Sequence, residues 1–129
     1  MEVTARNTGA DDTSFGLMCH YQDGENYYYA GVGSDGYYAI IRTQDDEDYF
    51  LTDASNQQWK TSDVIPLNAD SYRVSLVCAD GDLALYVDDQ LVAQVQDDAF
   101  TSGDVGLFLL TFDKPDGEVR FDDFAVWAP

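Results

Sequence analysis

An all-β fold of two antiparallel sheets packed face to face is predicted here by three observations. Short runs of alternating apolar and polar residues follow one another along the chain, separated by Gly, Asp and Asn, and no window sustains a helical period. The acidic residues are mostly Asp, with Glu only at Glu2, Glu25, Glu47 and Glu118; Asp bonds its own backbone in turns, whereas Glu favours helices. The runs also number about ten, and one open sheet of that size would leave a whole apolar face in water.

Taken in order, the strands are expected at 2–7, 14–22, 26–33, 36–43, 47–52, 71–79, 82–88, 90–96, 103–112 and 117–127. Ser34-Asp35-Gly36 joins two Tyr-rich runs, and its Asp-Gly pair offers the positive φ of a two-residue hairpin turn. Asp23-Gly24 and Asp80-Gly81 repeat the device, and Asp88-Asp89-Gln90 closes the hairpin between the runs at 83–87 and 91–95. In the last strand Val119 and Phe121 change phase with Phe124 and Val126 across Asp122-Asp123. An extra residue there predicts a β-bulge that turns both apolar sets to the core. The stretch from Thr52 to Pro66 has no clear period and reads as a long loop, a common home for function.

Length and composition narrow the classes. The 129 residues fit one domain spanning 1–129, and 45% hydrophobic with 14% aromatic residues is enough to build a core rather than a disordered chain. With 25 acidic against 6 basic residues the net charge is −19, which repels nucleic acid and anionic lipid and excludes both as main partners. No run approaches the roughly 20 apolar residues of a membrane span, so membrane insertion is not expected. The N-terminus carries neither region of a signal peptide, and an export address is expected outside these residues.

Cys19 shares a strand face with Phe15, Leu17 and Tyr21, and Cys78 shares one with Val74 and Leu76, so both thiols should point inward. They can form a disulfide if their Cα atoms lie within about 7 Å, which would place the chain in an oxidising compartment; otherwise they are two buried free thiols acting as small hydrophobes. His20, the sole histidine, falls on the face opposite Cys19, and two distant cysteines with one histidine do not make a structural zinc site.

The string from Phe15 to Asp23, Asn26-Tyr27-Tyr28-Tyr29, Gly36-Tyr37-Tyr38-Ala39-Ile40, Tyr72-Arg73-Val74, the run from Leu83 to Val92, Gly103-Asp104-Val105-Gly106-Leu107 and the run from Val119 to Val126 occur in an order that resembles bacterial extracellular concanavalin A-like, laminin G-like lectin and glucanase domains. The resemblance spans nearly the whole chain. It implies a jelly-roll sandwich in a secreted or cell-surface protein, with glycan or another extracellular protein as partner. It also implies further strands ahead of Glu2; a sheet edge left without them would recruit other chains and favour self-association into an array. The fold alone does not choose among lectin-like, adhesive and hydrolytic members.

The residues themselves give no catalytic signature. Retaining glucanases of this fold place two carboxylates about 5–5.5 Å apart through a Glu-x-Asp-x-x-Glu strand, and no such string occurs; Asp45-Asp46-Glu47-Asp48 and Asp122-Asp123 are the nearest acidic runs. Ser14 and Ser34 sit in no nucleophile elbow. Structural calcium, which takes six to eight oxygens, has candidates in Asp45, Asp46 and Asp48 and in Asp113, Asp116, Asp122 and Asp123, with no EF-hand spacing. A sugar would pack its C–H face on aromatic rings. Tyr27, Tyr28, Tyr29, Tyr37, Tyr38, Tyr49, Trp59 and Trp127 supply them, and Tyr28, Tyr37, Tyr49 and Trp59 are the candidate ligand-binding residues, with Tyr49 and Trp59 as the exposed pair. The reading is a non-catalytic extracellular recognition or adhesion module, with an array subunit as the alternative and a glycosidase third.

Overall fold

The computed structural model describes residues 1–114 and 116–126, and Trp127 lies outside them. Among the described residues every regular element is a strand: β1 (Glu2–Asn7), β2 (Ser14–Asp23), β3 (Asn26–Gly33), β4 (Tyr37–Gln44), β5 (Glu47–Phe50), β6 (Lys60–Thr61), β7 (Tyr72–Ala79), β8 (Asp82–Val87), β9 (Gln90–Gln96), β10 (Asp104–Leu110) and β11 (Val119–Ala125). They form two antiparallel sheets, one in the order β11-β1-β7-β8-β9 and the other β10-β2-β3-β4-β5, with β6 added on β4. The sheets stack with β1 and β7 against β2 and with β9 against β4.

The core lies between them because alternate residues of each strand point inward. Val3, Phe15, Leu17, Ile40, Tyr72, Val74, Leu76, Leu83 and Leu85 are all essentially inaccessible to solvent, and the Phe15 and Tyr72 rings meet across the interface at 5.5 Å. Cys19 of β2 and Cys78 of β7 are joined by a disulfide, with Cα atoms 6.7 Å apart, that ties one sheet to the other. A second tie is polar. Asp97, just after β9, accepts the Tyr28 hydroxyl on one oxygen at 2.5 Å and pairs with the Arg42 guanidinium through the other.

The turns follow Asp chemistry, with two departures from expectation. Asp80-Gly81 and Asp88-Asp89 are two-residue turns with both residues at positive φ, as is Asp45-Asp46 between β4 and β5. Asp23-Gly24 is different, because neither residue has positive φ; the Asp23 carboxylate instead accepts the Glu25 N–H and the Asn26 amide. The turn after β3 is also longer than two residues. Gly36 donates to the Gly33 carbonyl and only Gly36 takes a positive φ, the geometry of a tighter turn followed by a left-handed residue.

Two bulges decide where side chains point. In β11 the register slips between Thr4↔Asp122 and Glu2↔Ala125, with Asp123 at φ 55°, which is the expected bulge. Its expected consequence does not follow: Val119 and Phe121 pack on the core, but Phe124 and Val126 are exposed, since β11 is the edge of its sheet. In β2 the pairing slips after Cys19, and His20 has φ 48°. The slip reverses two expectations from simple alternation. His20 turns to the Tyr28 ring at 5.9 Å and its Nδ1 lies 3.0 Å from the Phe100 carbonyl oxygen, while Tyr21 leaves the Cys19 face and stacks on Tyr27.

Candidate functional site

The outer face of the β10-β2-β3-β4-β5 sheet is unusually apolar. Glycine occupies adjacent outward positions, Gly16 on β2 and Gly31 on β3, so the Phe108 ring of β10 lies flat across both; a Cβ on Gly31 would come within 2.6 Å of it. Tyr29 packs edge-on to Phe108 at 5.0 Å and donates its hydroxyl to Asp48. Burial raises the Tyr29 phenol well above the ordinary value, and the Asp48 charge adds to the shift.

At one end of this face four chain segments meet around a groove of about 330 Å³. The entry to β2 brings Asp12 and Ser14, the β3–β4 turn brings Asp35 and Tyr37, the stretch before β6 brings Gln58 and Trp59, and the exit from β10 brings Phe112 and Asp113. Strand order explains the meeting, because β10, β2, β3 and β4 are consecutive neighbours. The two residues of β6 are the pin: Lys60 pairs with Tyr38 and Thr61 with Tyr37, which sets Trp59 beside the start of β4. This short strand lies inside the stretch expected to be a plain loop. The loop is further folded on Asp53, which is 6% exposed; its carbonyl accepts the Gln57 N–H and its carboxylate accepts the Asn56 N–H and faces Lys60 at 3.8 Å.

The aromatic wall is made by Trp59, which stands edge-on to Phe112 at 5.7 Å and to Phe50 at 6.4 Å, and by Tyr37, which is 42% exposed. Carboxylates line the same groove. Asp35 accepts the Tyr37 N–H, and burial holds its carboxyl above the usual range, with the charges of Asp11 and Asp12 adding to the effect. Asp12 accepts the Lys114 N–H on Oδ2, while its Oδ1 is shut from solvent with no partner. Aromatic rings beside hydrogen-bonding carboxylates and an amide can take a sugar, a ring on its C–H face and acceptors on its hydroxyls.

Of the four residues expected to bind ligand, the structure brings Tyr37 and Trp59 together and separates the other two. Tyr49 pairs with Arg42, whose guanidinium lies 4.7 Å over its ring, whereas the neighbouring Phe50 pairs with Ile41 on the Trp59 side. Tyr49 and Trp59 therefore face opposite sides of the sheet and are not one site, and of the pair expected to be exposed only Tyr49 is, because Trp59 is half-buried against Phe50 and Phe112. Tyr28 is 1% exposed and belongs to the core, so its ring offers no platform. Gln58, Phe112, Asp12 and Asp35 were not anticipated in the site; their convergence depends on strand order, which no local spacing encodes.

The calcium candidates do not converge. Asp45 and Asp46 are the β4–β5 turn, Asp48 accepts the hydroxyls of Thr43 and Tyr29, Asp113 lines the groove, and Asp122 sits opposite Thr4 in the other sheet with Asp123 in its bulge. Among the described residues no three His, Cys, Asp or Glu side chains are grouped to hold a metal ion. Likewise no helix among them is long and apolar enough to cross a membrane.

Fold and site together define a two-sheet antiparallel β-sandwich bearing an aromatic and carboxylate groove at one end of an outer face. The fold is similar to that of the carbohydrate binding module CBM66 from Bacillus subtilis, with a TM-score of 0.67 and 17% sequence identity over 95% of this chain and 71% of that one. No protein-family model and no curated protein matches the sequence.

Proposed function

We propose that this chain is a non-catalytic glycan-binding module, working outside the cell, that holds a sugar between Tyr37, Trp59 and Phe112. The observation that carries the reading is the pairing of β6 with β4, which sets Trp59 beside exposed Tyr37 in a groove also lined by hydrogen-bond acceptors. The similar sandwich is that of a carbohydrate binding module, which favours binding over hydrolysis. The inter-sheet disulfide suits secretion or display at a cell surface. The test is a glycan array probed with the chain, Trp59→Ala and Tyr49→Ala. Signals lost in the first variant and kept in the second support the groove; signals unchanged in Trp59→Ala sink it, and released sugar from a bound oligomer would move the reading to a glycosidase.

A structural subunit that joins copies through sheet edges is the second reading. Edge strands β10 and β11 end the two sheets at the same side of the sandwich, and Val105, Leu109 and Phe124 are exposed along them. Light scattering at high concentration tests it: a monomer removes the array role, and a concentration-dependent oligomer lost in Phe124→Asp supports it.

A further inference from the structure

The groove does not end at Trp59. A second open recess, of about 370 Å³, adjoins it, and Tyr37, Gln58 and Trp59 line both. Those three residues therefore stand at the junction, with Phe112 in the first recess and Asn56, Lys60 and Thr61 in the second. The lining changes character across them. Carboxylates in the first recess only accept hydrogen bonds, whereas the Lys60 ammonium, the Asn56 amide and the Thr61 hydroxyl in the second can donate. The second recess is also built in advance of any ligand. Asp53 accepts the Gln57 N–H on its carbonyl and the Asn56 N–H on its carboxylate, and the Gln57 side chain donates to the Ala54 carbonyl and accepts the Phe50 N–H. A wall already held in place loses little freedom when a ligand arrives.

We infer that the two recesses are adjoining subsites of one cleft, which takes an oligosaccharide of at least two linked sugar units with the glycosidic linkage passing over Tyr37 and Trp59. This rests on the glycan-binding reading and narrows it from a sugar to a linked chain. A cavity of about 300 Å³ lies at the small end of ligand sites, so each recess suits one ring with its hydroxyls. Sugar hydroxyls both donate and accept, and two neighbouring rings laid across the junction meet acceptors on one side and donors on the other. The second ring arrives tethered to the first, so a modest contact in the Asn56 and Thr61 recess adds fully to affinity. Selection then falls on the linkage as well as on the sugar, because only some linkages carry the second ring from one recess into the next.

The experiment titrates the disulfide-intact chain by calorimetry with glucose, xylose, mannose and galactose and with the linear homo-oligomers of each, two to four units long. In a series that binds, affinity is expected to rise about tenfold from one unit to two. Asn56→Ala combined with Thr61→Ala should remove that rise and leave the single sugar unaffected; both side chains are exposed, and it is their backbone groups that hold the loop. Phe112→Ala should weaken every length together. Single sugar and oligomers that bind within about twofold of each other would reduce the site to one ring, overturning the inference while glycan binding stands. A rise that survives in the Asn56 and Thr61 variant would put the second unit elsewhere and overturn it as well. If no length of any series binds and the glycan array is silent, the glycan reading falls and takes the inference with it. Thermal melts of each variant separate lost binding from lost fold.

Discussion

Trp59 stands edge-on to Phe112, ring centroids 5.7 Å apart and planes at 82°, although the two lie 53 positions apart in sequence with β6 to β10 between them. The contact joins the loop before β6 to the exit of β10, so one indole both forms the groove and helps hold its rim.

 The same indole is the part of the site most exposed to test.

Trp59→Ala should lower glycan affinity about tenfold or more, the usual cost of losing a central aromatic anchor. Trp59→Phe keeps part of the packing on Phe50 and Phe112 and should lose less. Tyr37→Ala should resemble Trp59→Ala, whereas Tyr49→Ala should leave affinity unchanged because its ring lies on the other side of the sheet. Calorimetric titration with a glycan identified on the array checks all four.

Asp97→Ala should cost about 3 kcal/mol of stability, since it strands a largely buried guanidinium and a buried phenol together. The side chain of Arg42 is 22% exposed and that of Asp97 10%, so solvent screens the pair only weakly. Urea unfolding of the variant measures the loss; a change under about 0.5 kcal/mol would mean the pair holds nothing.

Replacing Cys19 and Cys78 together by Ala should remove up to about 4 kcal/mol, the chain-entropy figure for a closed loop of this size. The cysteines are 59 positions apart. Denaturant midpoints of the oxidised chain and the double variant give the difference, and thiol labelling of the chain unfolded without reductant should find no free sulfhydryl.

Stability should fall as the solution is made alkaline. Burial pushes the Tyr28 phenol up to about 12 from 10.0, helped by its bond to Asp97, and raises Tyr29 as well. The unfolded chain therefore loses these protons first, and the folded state binds more protons between the two values. The stability that the neutral phenols lend is complete below 10.0 and drains away as pH rises toward about 12. Urea melts across that window check the slope, which should flatten in Tyr28→Phe.

The sequence made the sandwich legible because strands and turns are local. Alternation located the runs around Leu17, Ile40, Val74 and Leu85, and Asp80-Gly81 and Asp88-Asp89 marked two of the hairpins. It misplaced Tyr21 and His20, because one bulge after Cys19 shifts the phase of everything beyond it and leaves no mark in composition. Part of the candidate site was readable as residue types: Tyr37 and Trp59 are aromatics near a turn and a loop. Phe112, Asp12 and Asp35 were not, since only the neighbour order of four strands brings them to the same groove. Tyr28 failed as a candidate for a related reason. Its place on β3 is inward, and a Tyr-rich run does not say which of its rings will be covered.

The bond between Cys19 and Cys78 also sets how the chain responds to being pulled. If tension unfolds the sandwich from its ends, the segment between the bridged cysteines, which are 59 positions apart, cannot lengthen, and about 200 Å of contour is withheld. Tyr37 and Trp59 both lie within that protected segment, while Phe112 lies beyond it. A tether under load would therefore give up the Phe112 rim of the groove first, and the reducing state of its surroundings would decide how far it stretches.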